Sequence, residues 1–386
     1  HFQNNFAHWT SGDSNIDELI QNSQLNAKYR SHIIEWIEYS NFKNVEFVAH
    51  GGFGSVYKAI WKDGPIIRNN FEDLWDINKS EWKRENEKEV AIKKFRNMTS
   101  ESSEFLNEVK NSLKLGFLLN CNRIYGLTRD TKNGEYGIVI EFQNGGNLRE
   151  LIKKYYNILN WKIIINILYN ISSGLFLIHN GNYHHKDFHS GNILNNLIGG
   201  NIVSVISDFG LSCPLEQNSE DKTLYGVLPL VAPEVLCSGE FTKVADIYGF
   251  GMLMSEIISG EVPFIDRDYD LRLAFDICEG KCPLIPKYTP EPYADLMNCC
   301  WSSDPTTTEE LWKNYERKDK WKIRLVELAK NPHPLKKSQN LLTSKCLDFS
   351  KQLLEIRNVK MNDKLETKDV EIKENDNAQN SEHYLM

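Results

Sequence analysis

The sequence predicts an α+β fold in two lobes, a small antiparallel sheet carrying one helix followed by a larger, mostly helical lobe. Short β-branched apolar runs are confined to residues 45–142, as strands are, and only one helical stretch interrupts them. After Gly145 the apolar spacing lengthens to helical periods, broken by loops rich in Gly, Asn and Asp. With 386 residues, 41% of them hydrophobic and 11% aromatic, the chain can build a sizeable core. These proportions exclude a wholly disordered chain, a collagen, a bare coiled coil and a mucin-like stalk.

Taken in order, residues 1–44 read as a helical lead-in with Ile16, Leu19, Ile20, Ile33, Ile34, Trp36 and Ile37 as packing anchors. Strands are expected at 45–48, 56–61, 90–95 and 136–142, with a helix near 101–118. Residues 62–89 form a long polar connection carrying Trp75 and Trp82, read as a solvated insertion or, alternatively, as a docking element. Helices follow at 148–160, 161–180 and 242–258. The run 161–178 is the most apolar, but Asn166, Asn170, Ser172 and Ser173 interrupt it at helical intervals, so a buried-face helix is expected and no membrane span. The expected domains are an extension over 1–44, a main two-lobed domain over 45–330 (smaller lobe 45–143 with the insertion 62–89, larger lobe 144–330), and a polar tail over 331–386. That tail is rich in Lys, Glu, Asp and Asn and is expected to be disordered.

A net charge of −8 provides no global field for polyanions, so no nucleic-acid partner is expected. The eight cysteines, Cys121, Cys213, Cys237, Cys278, Cys282, Cys299, Cys300 and Cys346, lack the paired spacing of a zinc site. Reduced thiols and a cytoplasmic setting, or a nuclear one, are expected. No basic-then-apolar leader follows His1.

The chemistry-bearing residues come in an ordered series. Ala49-His50-Gly51-Gly52-Phe53-Gly54-Ser55-Val56 lies between two strand runs, where a glycine-rich turn can bring backbone amides onto phosphate oxygens. Alone it is what an ordinary hairpin carries. Val90-Ala91-Ile92-Lys93 then places a lysine on a strand beside that turn, suited to holding two phosphates. Glu108, on the helix that follows, is a carboxylate able to pair with Lys93, although such a residue in isolation is usually a surface charge. His185-Lys186-Asp187-Phe188-His189-Ser190-Gly191-Asn192, Ser207-Asp208-Phe209-Gly210 and Ala232-Pro233-Glu234 complete the series. Two carboxylates and an amide carbonyl are hard oxygen donors that suit Mg²⁺ and a hydroxyl proton. His184, His185 and His189 invite a zinc reading that this company disfavours.

In this order and spacing the residues resemble the eukaryotic protein kinase family over about residues 47–326, and the run from Asp187 to Leu194 is most similar to its tyrosine-kinase-like group. The resemblance implies a bilobal kinase fold and an enzyme that moves the γ-phosphoryl group of ATP to protein hydroxyls in signal transduction. It further implies that Val48, Gly51, Gly52, Gly54 and Val56 line ATP, that Lys93 held by Glu108 contacts its phosphates, and that Glu141 and Phe142 present hinge backbone to adenine beside Ile140. Asp187 would accept the substrate hydroxyl proton, and Asn192 and Asp208 would hold Mg²⁺. By the same resemblance Asp246 ties the catalytic loop to a central helix, and Trp301 packs the larger lobe; without this company Asp246 would equally suit a helix cap.

Several positions depart from the family's pattern. Ala49 stands where the first glycine of the lid is expected, and Lys186 replaces an arginine, keeping the charge and losing the bidentate fork. His189 and Val227 occupy the places of the lysine and threonine that mark serine/threonine kinases, while Gly226 and Pro229 fit the serine/threonine spacing, so that specificity is favoured with tyrosine or dual specificity open. Ser212, Ser219, Thr223 and Tyr225 are candidate phosphate acceptors. After Asp304-Pro305 no arginine appears to pair with Glu234, which motivates the alternative of an inactive kinase-like scaffold.

Overall fold

The apolar runs of the first third of the chain pair into a six-stranded sheet, and the helical periods that follow close around a second, larger core. The computed structural model describes residues 2–27, 32–50, 54–67, 75–76, 81–96, 103–155, 159–214, 225–239, 241–302 and 345–346. Gly51, Gly52, Ser219, Thr223, the stretch after Trp301 where the arginine is sought, and nearly all of the tail lie outside these residues.

Among its described residues the lead-in forms α1 (Phe2–Asn5), a 3-10 turn at Phe6–His8 and α2 (Ser14–Leu25), and then an unforeseen strand, β1 (Glu35–Trp36). β2 (Phe42–His50) and β3 (Gly54–Trp61) follow, then a short hairpin of β4 (Trp75–Asp76) and β5 (Glu81–Trp82) within the insertion. β6 (Lys88–Phe95), α3 (Ser103–Leu115), β7 (Ile124–Arg129) and β8 (Tyr136–Glu141) complete the lobe. The strand order is β1-β7-β8-β6-β3-β2, antiparallel except for β1, which lies parallel to β7 at the edge. Gly126 permits that pairing, because a Cβ there would stand 2.1 Å from the Glu35 carbonyl oxygen.

The lead-in is also built into the core. Asp13 caps α2 by accepting from the Asn15 and Ile16 N–H groups. Ile16 and Ile20, one turn apart, are fully buried and share a cluster with Phe105 and Val109 of α3, with Ile34, and with Leu127 and Tyr136 of the sheet. Each isoleucine so buried contributes roughly 1.5–3 kcal/mol. The insertion is fastened as well: Phe2 stacks on Trp82 at 4.5 Å, and Arg84 pairs with Glu35 of β1.

The larger lobe begins with α4 (Leu148–Tyr155) and α5 (Trp161–Asn180), followed by β9 (Tyr183–His184), β10 (Ile193–Ile198), β11 (Asn201–Ile206), β12 (Cys213–Pro214) and β13 (Tyr225–Gly226). α6 (Pro233–Ser238), α7 (Lys243–Ser259), α8 (Leu271–Cys278), α9 (Glu291–Cys300) and β14 (Lys345–Cys346) follow. Short ladders join β10 to β11, β9 to β12 and β13 to β14. Among the described residues α5 is the helix long and apolar enough to cross a membrane by length and composition. Its Ile164, Ile167, Leu168, Ile171, Leu175 and Ile178 are buried in the larger core, and Asn166 Nδ2 donates to the Ile202 carbonyl at 2.7 Å. α7 is buried along almost its whole length, and Trp301 packs against its Gly251.

Candidate active site

Lys93 occupies β6 opposite Val56 of β3 and is 7% exposed. Its Nζ donates to Glu108 Oε1 at 2.6 Å and to Asp208 Oδ1 at 2.9 Å, which joins the sheet, α3 and the larger lobe at one ammonium. Burial works against that charge, but Asp208 and Glu108 together outweigh it and hold Lys93 above the ordinary lysine value. Glu108 is therefore a buried ion-pair partner rather than a surface charge, and burial, opposed by Lys93, pushes its carboxyl upward.

Sequence reasoning missed a second tie between α3 and this segment. Asn111 lies three residues after Glu108, on the same helix face, and its Nδ2 donates to the carbonyls of Phe209 (3.0 Å) and Ser212 (2.6 Å). The i, i+3 spacing from Glu108 was the available signal. Ser212 itself is 5% exposed and its hydroxyl donates to the His185 carbonyl at 3.3 Å, so it packs the site and is withdrawn as a phosphate acceptor.

The loop between β9 and β10 hangs from Asp246. This carboxylate is 2% exposed and accepts from the backbone N–H groups of His185 (2.9 Å) and Lys186 (3.1 Å), with His179 Nε2 at 2.9 Å. Burial opposes its charge, but His179 and the His185 N–H prevail and hold it below the usual carboxylate range. Asp246 is no cap, since Thr242 precedes the first residue of α7. Lys186 (φ 67°) and Asp208 (φ 64°) take left-handed backbone conformations, and at Lys186 the bond to Asp246 offsets that cost.

Asp187 follows, 8% exposed. Asn192 Nδ2 donates to its carbonyl at 2.9 Å and to its Oδ2 at 3.1 Å, which leaves the Asn192 amide oxygen as the atom kept for another partner. His185 is fully buried, with Nε2 at 3.0 Å from the Ser207 carbonyl and Nδ1 accepting from the Asp187 N–H at 3.3 Å. Both ring nitrogens of His185 are thus spent on its neighbours. Among the described residues no group of three or more His, Cys, Asp or Glu is arranged to hold a metal, and the zinc reading falls. An Asp208 carboxylate and an Asn192 amide oxygen do suit Mg²⁺, which takes one or two protein oxygens beside phosphates and water.

The remaining candidates lie around this centre. Val48 of β2 is half exposed, and Gly54 opens β3. Glu141 ends β8 opposite Val90, three residues along β6 from Lys93, and the Phe142 ring lies 4.8 Å from Lys58 Nζ. Ala49 pairs with Val56 of β3 directly after a register shift between Phe47 and Ala49, so the strand carries an irregularity where the family's first lid glycine is expected. The Lys186 ammonium lies over the Phe241 ring at 5.2 Å.

One histidine makes stability pH-dependent. Burial drives His184 on β9 down to about 4, and its Nδ1 lacks a hydrogen-bond partner. With an unfolded value near 6.5, its contribution is fully present above that pH and is lost as pH falls toward 4. Denaturant titrations should show the parent losing about 2 kcal/mol more than His184→Gln between pH 7 and 5. Equal losses would remove His184 as the cause.

The model of the family described as protein tyrosine and serine/threonine kinase matches residues 42–311, well over half of the chain. The chain is 29% identical over 272 residues to a serine/threonine-protein kinase/receptor of Acanthamoeba polyphaga mimivirus, covering 70% of this chain and 15% of that protein. It is 28% identical over 285 residues to mitogen-activated protein kinase kinase kinase 10 of Xenopus laevis, covering 70% and 25%. It is 29% identical over 273 residues to the serine/threonine-protein kinase kinX of Dictyostelium discoideum, covering 70% and 22%. The chain therefore spans a quarter or less of these relatives. Matched along both lobes and carrying the lysine, the carboxylates and the loop asparagine in one cluster, the chain belongs to the protein tyrosine and serine/threonine kinase family.

Proposed function

We propose that the chain is an ATP- and Mg²⁺-dependent protein kinase that transfers the γ-phosphoryl group to protein hydroxyls, with serine and threonine favoured. The observation that carries this reading is the Lys93 ammonium held by carboxylates from both lobes, Glu108 at 2.6 Å and Asp208 at 2.9 Å. A lysine fixed in this way is a preorganised cation for phosphate oxygens. Asp187, oriented by Asn192, accepts the proton of the incoming hydroxyl. Asn192 and Asp208 would hold Mg²⁺, which supplies charge neutralisation for the transferred phosphoryl group.

A protein substrate is supported by the surface beside Asp187, where a small cavity is lined by Val227, Leu230, Val231 and Phe241. The serine/threonine preference is supported by the names of the relatives and by Gly226 and Pro229. Free thiols at Cys121, Cys213, Cys282 and Cys300 support a reducing compartment, cytoplasmic or nuclear.

The test is transfer of labelled phosphate from ATP to a generic protein substrate and to the chain itself, in the parent and in Asp208→Asn. The parent should transfer and the variant should fall at least about 100-fold. Equal incorporation in both would defeat the enzyme reading. A silent parent whose melting temperature rises with ATP would favour the scaffold instead.

A further inference from the structure

His189 stands two positions after Asp187, where the sequence departs from the lysine of serine/threonine kinases. Its ring is 8% exposed and folds back onto its own loop, so that the Gly191 N–H donates to Nδ1 at 3.0 Å. A donor at Nδ1 makes that nitrogen the acceptor and leaves the ring proton on Nε2. Nε2 in turn faces Asp187 Oδ1 at 3.5 Å, while Asn192 Nδ2 reaches Oδ2 at 3.1 Å. Two donors from one loop thus bracket the two carboxylate oxygens. A separation of 3.5 Å is the long contact that catalytic pairs show before substrate enters.

The fold-back has a steric requirement. A Cβ on residue 191 would stand 2.8 Å from His189 Cε1 and 2.9 Å from Nδ1, so the imidazole reaches Asp187 only if residue 191 is glycine. The loop that carries the ring is held at both ends: the Leu148 N–H donates to the Ser190 carbonyl at 3.1 Å, and the Asn192 N–H to the His189 carbonyl at 2.9 Å. Arg149 Nε adds a contact to Ser190 Oγ at 3.4 Å, and Arg149 is paired with Glu256 of α7 at 2.9 Å.

We propose that His189 is a positioning residue that fixes the Asp187 carboxylate for the acceptor hydroxyl through Nε2–H, with Gly191 as the residue that lets the ring reach it. This rests on the reading of Asp187 as the base. A ring that binds ATP phosphates instead would govern KM for ATP, whereas one that orients the base governs kcat.

Steady-state transfer by the full chain separates these roles. His189→Leu should lower kcat about 10–100-fold, with KM for MgATP within about twofold of the parent. His189→Gln, whose side-chain N–H reaches the place of Nε2–H, should keep most of kcat. Gly191→Ala should copy His189→Leu, since its methyl displaces the ring. A parental kcat in His189→Leu, equal impairment of the Leu and Gln variants, or a loss expressed in KM would each overturn the assignment. Circular dichroism reports folding; should His189→Leu fail to fold, Gly191→Ala against His189→Gln decides. Asp187→Asn is run in parallel. If it transfers at the parental rate, the base reading itself has failed, whereas an active His189→Leu beside an inactive Asp187→Asn overturns only the role of His189.

Discussion

Asp187→Asn is expected to cut phosphoryl transfer about 1,000-fold while leaving the protein folded and able to bind ATP. The substitution preserves size and removes the basic oxygen. The backbone framework around it does not depend on the carboxylate, since the Asp187 N–H donates to His185 Nδ1 and its carbonyl accepts from Asn192 Nδ2. The side chain bears the whole change. Asn192 Nδ2 and His189 Nε2 both approach the carboxylate, and an amide can accept from only one of them through its oxygen. A local cost of about 1 kcal/mol follows, a shift of a few degrees in melting temperature for a chain of this size. The deciding measurement is kcat together with KM for MgATP. A variant retaining a tenth or more of parental kcat would move the proton acceptor elsewhere.

The largest effect on stability is expected at Asp246. Asp246→Ala removes the acceptor for two backbone N–H groups and for His179 at once, in a place that water does not reach. Breaking one side of a buried charged network costs about 3–5 kcal/mol, which lowers the melting temperature by on the order of 10 °C. Activity should fall as well at temperatures where the variant is still folded, because Lys186 no longer has the support for its left-handed backbone and Asp187 is the next residue. Asp246→Asn keeps one acceptor and should lie between. Melting of Asp246→Ala at the parental temperature would show that the loop is held by other contacts.

The candidate site was legible because its chemistry is carried by scarce residue types in a fixed order. Lys93, Glu108, Asp187, Asn192 and Asp208 could each be picked from the sequence, as could the change from strand to helical spacing at Gly145. Glu108 shows the limit of that reading: pattern offers it as a partner for Lys93, yet only the packing of α3 onto the sheet excludes a surface charge. Ser212 shows the reverse. A hydroxyl near Asp208 looked available, and the fold spends it on the His185 carbonyl. The lead-in hid most, since two isoleucines on an amphipathic helix do not announce which face will cover them.

Local spacing, turn chemistry and the order of reactive side chains are properties of neighbouring residues, so the chain alone determined its two-lobed class, its family and the residues at its centre. Which groups meet was decided by the tertiary structure. Lys93 and Asp208 are 115 residues apart in sequence and 2.9 Å apart in space, and β1 joins the sheet only where Gly126 leaves room for it. Such meetings depend on burial and on the free energy of closing long loops, which no short stretch of sequence contains.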